Sequence, residues 1–226
     1  MQLYIGNKNY SSWSMRPWVL MTQFNIAFEE VKLRLDWNAD SPFKRTLLSL
    51  APSGRVPLLI DDGFAVWETL AIIEYVAEKF PDKPVWPAPM RARARARTLC
   101  AEMHAGFGAL RERFPMNIEA SLPEVGRRCV AESPEVAADL RRIESMWSGQ
   151  LEDSGGPFLF GAFSAADAYF APVCSRLKTY APPIRPETAA YVDRVHALHA
   201  VRAWSEAALA EHDFIKEDEP YRALQR

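Results

Sequence analysis

The 226-residue chain has little cysteine: Cys100, Cys129 and Cys174 are odd in number, far apart, and form no Cys-x-x-Cys pair. That excludes a disulfide framework and a dithiol redox motif, and it fits a reducing compartment. Metal-ligand spacing is missing too. His196 and His199 lie three apart but have no cysteine or carboxylate motif beside them, so no metal is expected. There is no glycine-rich phosphate loop. No apolar run approaches the roughly 18 residues of a membrane helix, and the opening MQLYIGNKNY lacks the apolar core of a signal peptide. A cytoplasmic location without membrane contact is the expectation. Neither sign of charge is in excess: 27 Lys and Arg stand against 29 Asp and Glu, so no general field draws nucleic acid or an anionic membrane. What the chain does have is apolar residues, 49% against 25% charged, enough for one large core or two modest ones.

Prolines 81, 84, 87 and 89 mark residues 81–89 as a linker, because neither a regular helix nor a central strand survives that density. Before it, Leu3-Tyr4-Ile5 is a short apolar strand. Val31, Leu33 and Leu35 alternate with charged residues as a half-buried strand does. VPLLI and FAVW flank Asp61-Asp62-Gly63 as a hairpin, which makes the two aspartates turn chemistry rather than an acid/base pair. Leu70, Ile73, Ala77 and Phe80 share one face of a helix that Pro81 stops. Residues 1–80 thus read as βαβ followed by ββα, a small mixed sheet with helices. Beyond the linker only helices are expected. One long helix covers 90–113, another starts at Ser133-Pro134-Glu135, and a third at FSAAD, where Ser164 and Asp167 form a capping box before a buried run. The arginines of RARARAR, 91–97, divide between two helix faces, so they make no nucleic-acid stripe.

The stretch NYSSWSMRPW, 9–18, puts three serines between a strand and a helix. In thioredoxin-like domains this position carries Cys-x-x-Cys. Here Ser11-Ser12-Trp13-Ser14 has serine at both outer places, so disulfide exchange has no thiolate to use. A hydroxyl there can instead hydrogen-bond a thiolate brought by a ligand. Lowering a thiol pKa from about 8.5 to about 6.5 takes roughly 2.7 kcal/mol. One hydrogen bond to a charged acceptor supplies about 1.5–3, and a helix N-terminus adds roughly 0.3–1. The plainer reading is that the serines only cap the helix, with Ser14 the best cap. Ser11 and Ser12 cannot be ranked from sequence.

SSWSMR resembles the signature Ser-Ser-Cys-Ser-x-Arg of zeta-class cytosolic glutathione S-transferases. Val56-Pro57, Trp67-Glu68-Thr69 and FSAADAYF match further motifs of that family, in order and over essentially the whole chain. The resemblance, to the serine-using zeta-like and related bacterial classes, implies a thioredoxin-like glutathione-binding domain over 1–80 and an all-helical domain over 90–226 that forms the electrophile pocket. It implies a homodimer using glutathione as co-substrate, without metal, on a small apolar electrophile. It assigns thiol activation to Ser11, with Ser12 the runner-up. It assigns glutathione contacts to Ser11, Ser12, Arg55, Val56, Glu68 and Thr69, and a cis bond to Pro57. Trp13, His104 and Arg111 fall at the electrophile pocket, and Ser164 and Asp167 are structural. Two positions depart from the zeta pattern. Trp13 stands where that class has the cysteine tied to maleylacetoacetate isomerisation, and Arg55 where it usually has glutamine. A glutathione-dependent isomerase or peroxidase, and a non-catalytic glutathione-binding or assembly module, are the alternatives.

Overall fold

A computed structural model of the protein describes residues 1–222; the last four residues of the helical region expected over 90–226 lie outside the described part. Strand β1 (Gln2–Ile5) is followed by helix α1 (Ser12–Gln23), which returns the chain so that β2 (Glu29–Lys32) lies parallel to β1. After α2 (Pro42–Leu50), β3 (Leu58–Asp61) pairs antiparallel with the other side of β1, and β4 (Phe64–Trp67) completes the sheet in the order β2-β1-β3-β4. Asp62 and Gly63 form the hairpin turn with φ of 48° and 83°, the left-handed pair a two-residue loop requires. Helix α3 (Thr69–Lys79) ends this βαβ-ββα unit. The two central strands are covered on both faces, which is why Leu3, Ile5, Leu58 and Leu59 are all fully buried.

The rest is helical: α4 (Met90–Ala105), α5 (Gly108–Arg113), α6 (Pro123–Glu132), α7 (Pro134–Ser154), α8 (Ala165–Tyr180), α9 (Pro186–Ala197) and α10 (His199–Leu209), then a 3-10 turn at Lys216–Asp218. Helix α8 runs through the centre, packed on α1, α4, α6 and α9, and is buried from Ala165 to Leu177. Its N-terminus is organised by Asp167, whose carboxylate accepts from Ser164 N–H (2.9 Å), Ser164 Oγ (3.1 Å), Leu159 N–H (3.1 Å) and Tyr191 Oη (2.8 Å). Residues 81–89 contain neither helix nor strand, yet they are anchored: Val85 C=O accepts from Ala165 N–H at 2.8 Å, and Trp86 donates to Glu74. Among the described residues no helix is long and apolar enough to cross a membrane.

Three local expectations shift. The helix over 90–113 breaks at Gly106-Phe107, where Phe107 takes φ 55° and turns its ring into the core; glycines on both sides weaken the helix enough for that burial to win. In α3 the buried face is Thr69, Ile72, Ile73 and Val76, with Leu70 and Ala77 only half-buried, because α1 covers the helix one residue round from the expected stripe. The strand expected through Leu35 stops at Lys32. Leu33 N–H still reaches Ile5 C=O, but Leu35 N–H goes to the Asn7 side chain (2.8 Å) instead of a ladder partner.

Candidate functional site

Between β1 and α1 the residues Gly6-Asn7-Lys8-Asn9-Tyr10 are all buried, so their polar groups need partners. They find them far along the chain. Asn9 Oδ1 accepts from Ile118 N–H (2.7 Å) and Glu119 N–H (2.9 Å), and its amide donates to Asn117 (3.1 Å). Glu211 accepts from Lys8 N–H (2.8 Å), Trp204 Nε1 donates to Lys8 C=O (2.9 Å), and Asn7 donates to Asp213 (2.9 Å). Tyr10 Oη donates to Glu219. Burial and that neighbouring carboxylate push the Tyr10 phenol well above its ordinary pKa, so it is already committed and holds its proton.

This anchored loop sets the start of α1. Ser11 is the N-cap residue, but its side chain makes no capping bond; Ser11 Oγ lies 2.7 Å from Ser14 Oγ, which also accepts from Gly6 N–H at 3.2 Å. Ser14 is inside the helix and fully buried, so the cap expected there is absent. Ser12 Oγ accepts from Arg176 Nη2 at 3.1 Å. Ser11 and Ser12 both face a cavity of about 530 Å³. A second cavity of about 290 Å³ adjoins it, and Trp13, Arg55, Val56 and Arg111 wall both.

The second cavity gathers most of the remaining site candidates: Pro57, Glu68, Thr69 and His104. The Val56-Pro57 bond is cis. Glu68 has φ 70° and ψ 125°, a sparsely populated conformation at the end of β4, and half of its side chain is exposed. Thr69 opens α3, so the first-turn N–H groups there lack helix partners. Its own hydroxyl is spent on Trp13 C=O at 3.2 Å, which pins α3 to α1. His104 Nδ1 lies 2.9 Å from Tyr169 Oη and Nε2 lies 3.8 Å from Glu68 Oε2, with the ring against Trp13 at 5.2 Å.

Four contributors were given no site role from sequence, although Arg16 closes the SSWSMR motif. Arg16, fully buried, donates to Tyr169 C=O (2.8 Å) and Ser12 C=O (3.2 Å) and lies 4.0 Å from the Trp13 ring centre. Arg176 donates to Phe114 C=O (2.7 Å) and Pro172 C=O (3.3 Å) besides Ser12. Lys44 and Asp218 also wall the larger cavity. The arginines fall at positions 3.6-residue periodicity assigns to the cores of α1 and α8; a charge on an otherwise buried face was the available signal. Of the arginine run, Arg97 pairs bidentately with Glu74 (2.6 and 2.9 Å) and Arg93 donates to Pro87 and Ala88 C=O, while Arg91 and Arg95 are exposed. His196 is half-buried rather than on the surface, and burial pushes its pKa down.

Comparison with known proteins places this geometry. The family model described as glutathione S-transferase, N-terminal domain, matches residues 10–79, and that described as glutathione S-transferase, C-terminal domain, matches 91–207. The chain belongs to the glutathione S-transferase family. It is 32% identical over 108 residues to a probable maleylacetoacetate isomerase of Caenorhabditis elegans, an alignment covering 48% of each chain. It is 35% identical over 68 residues to a dichloromethane dehalogenase of Methylophilus leisingeri, covering 29% of this chain and 24% of that one. The matched region spans less than two thirds of the length of these relatives. Among solved structures, a glutathione transferase homolog from Burkholderia with bound glutathione superposes with a TM-score of 0.69 at 26% identity, covering 93% of this chain and 98% of that one. A tau-class enzyme from Mangifera indica gives 0.70 at 21% identity, covering 92% and 95%, and shows the shared fold.

Proposed function

We propose that the protein is a glutathione transferase in which residues 1–80 hold glutathione and the C-terminal domain expected over 90–226 supplies most of the electrophile pocket. The observation that carries this reading is a juxtaposition: two serine hydroxyls at the start of α1, the Val56-Pro57 backbone and the free N-terminus of α3 face two cavities with common walls. Glutathione fits that chemistry end to end. The first-turn N–H groups of α3 suit its γ-glutamyl carboxylate, and Glu68 suits the ammonium beside it. The backbone of Val56 would pair with the cysteinyl residue, and Arg55 with the glycyl carboxylate. Ser11 donates a hydrogen bond to the sulfur and holds it as thiolate, with Ser12 the alternative donor. The thiolate attacks a carbon of the second substrate, whose apolar body packs on Trp13 and Met116. No covalent enzyme intermediate forms; the gain is a lowered thiol pKa and the proximity of two bound reactants.

Phe64 and Trp67 on β4 and Met90 at the start of α4 are large apolar side chains left exposed, of the kind a second copy of the chain would cover. Similarity to the probable maleylacetoacetate isomerase favours one second reading, in which the thiolate adds reversibly and a double bond rotates before it leaves. Calorimetry with reduced glutathione, then rates on chlorodinitrobenzene, maleylacetone and cumene hydroperoxide, test these readings. Conjugation is expected. No heat of binding at millimolar glutathione and neutral pH would overturn the assignment, and binding without turnover on any electrophile would make the protein a binding module. Sedimentation velocity tests the dimer.

A further inference from the structure

The paired cavities are bordered by an excess of positive charge. Lys44, Arg55, Arg111 and Arg176 stand in the walls and Arg16 behind Trp13, answered by Glu68 and Asp218. Bound as proposed above, glutathione brings two carboxylates, one ammonium and one thiolate. The glycyl carboxylate goes to Arg55 and Lys44, the γ-glutamyl end to Glu68 and α3. That leaves Arg111 and Arg176 in the walls, and Arg16 behind Trp13, opposite one thiolate and Asp218.

None of these three guanidinium groups is paired with a carboxylate among the described residues. Arg16 Nη2 and Arg111 Nε are buried without a hydrogen-bond acceptor among the described residues. Arg16 and Arg111 both approach the Trp13 ring, at 4.0 and 5.5 Å, so two of the three charges converge on one wall of the pocket. Burial lowers Arg16 to about 9 and Arg176 to about 10, which leaves both charged at neutral pH. Like charges gathered at one wall, none in an ion pair among the described residues and with only Asp218 beside them, disfavour the empty site, and an anion delivered by the second substrate relieves that cost.

We propose that the electrophile carries a carboxylate, taken by Arg111 in the wall the two cavities share, with the charges of Arg176 and Arg16 beside it. This rests on the glutathione transferase reading and narrows its substrate class to acids with an apolar body and an electrophilic carbon. For an α,β-unsaturated ketone bearing such an acid, the thiolate sulfur bonds to the β-carbon and the double-bond pair moves toward the carbonyl. The α-carbon then takes a proton from solvent, to which the thiol proton was lost on activation. No group leaves and nothing is oxidised.

Ethacrynate and its methyl ester share that acceptor and differ in the charge. Each rate is divided by its uncatalysed rate with glutathione, so intrinsic reactivity cancels. The wild-type enzyme is expected to favour the acid at least tenfold in kcat/KM. Arg111→Met should lower the acid-to-ester ratio by about tenfold or more, the effect of losing a charge-assisted hydrogen bond, and Arg111→Lys should restore part of it. Equal handling of acid and ester by the wild type overturns the proposal while leaving the transferase reading intact, and needs no variant to fold. A ratio unmoved in a folded Arg111→Met also overturns it. Absence of both glutathione binding and conjugation removes the transferase reading itself, and the proposal with it.

Discussion

Replacing Ser11 by alanine removes one hydroxyl whose expected worth can be worked out in advance. Ser11 is 8% exposed, so a bond from it to a thiolate is little weakened by water. Its neighbour strengthens it. Ser14 Oγ is held by Gly6 N–H, and when a thiolate binds it can turn its own hydrogen toward Ser11, freeing the Ser11 hydrogen for the sulfur. A hydrogen bond to a charged acceptor contributes about 1.5–3 kcal/mol, and 1.36 kcal/mol corresponds to one pKa unit. The pKa of bound glutathione should therefore rise by about 1–2 units in Ser11→Ala. The assay is kcat/KM against pH with chlorodinitrobenzene, beside an ultraviolet difference titration of the bound thiolate. Ser12→Ala is the comparison, because it strips the acceptor from Arg176 Nη2. It should cost about 1–3 kcal/mol of stability, whereas Ser11→Ala leaves Ser14 still bonded to Gly6 and the fold nearly as stable. An unmoved profile in Ser11→Ala with a shift of a unit or more in Ser12→Ala would hand the role to Ser12. Unmoved profiles in both would end the idea of hydroxyl activation.

Glu68→Gln should weaken glutathione only about three- to fivefold by calorimetry, since a side chain 53% exposed makes a largely solvated ion pair worth up to about 1 kcal/mol; an analogue lacking the γ-glutamyl amino group should be indifferent to the change. Burial raises the Asp167 carboxyl from 3.8 to about 6, so the folded state holds that proton more tightly than the unfolded chain; its contribution is complete below about pH 4 and lost as pH rises through about 6. Relative to Asp167→Asn, the wild type should therefore lose about 1–3 kcal/mol between pH 4 and pH 8 in urea unfolding, and a constant difference would refute this. All three cysteines are buried, and burial pushes the Cys100 and Cys174 thiols up, so N-ethylmaleimide should leave the native activity intact; loss in proportion to one modified thiol would point to a cysteine in the site.

Local signals made much of the fold legible. Asp-Asp-Gly announced the hairpin because only the left-handed region closes a two-residue turn, and Ser164 with Asp167 announced α8 because an N-cap must satisfy free N–H groups. The break at Gly106-Phe107 was not legible, since what decides it is a ring finding room in a core that the helix itself does not contain. The site divided the same way. Ser11, Glu68 and Thr69 stand at element ends, where sequence shows a side chain with nothing local to do. Arg16 and Arg176 sit mid-helix, and their directions follow from carbonyls of Tyr169, Phe114 and Pro172 that only the assembled bundle places.

The loop that carries the serines shows why the two halves of the chain act as one piece. An isolated sheet unit would contain Asn7, Lys8, Asn9 and Tyr10 with most of their partners missing, for those partners are Asn117, Ile118, Glu119, Trp204, Glu211, Asp213 and Glu219. Without those partners the groups would turn to water, and the roughly 0.5–1.5 kcal/mol that each hydrogen bond contributes would be lost, which over several bonds approaches the whole stability of a small domain. In the intact chain the same contacts run from the helical half to the residues just before Ser11, and Arg176 adds one from α8 to Ser12 itself. The start of α1 is thus fixed from both sides. A hydroxyl meant to meet a sulfur at hydrogen-bond distance needs that fixity, because it makes one bond of modest strength and every degree of freedom left to it subtracts from the preference it can confer on the charged form.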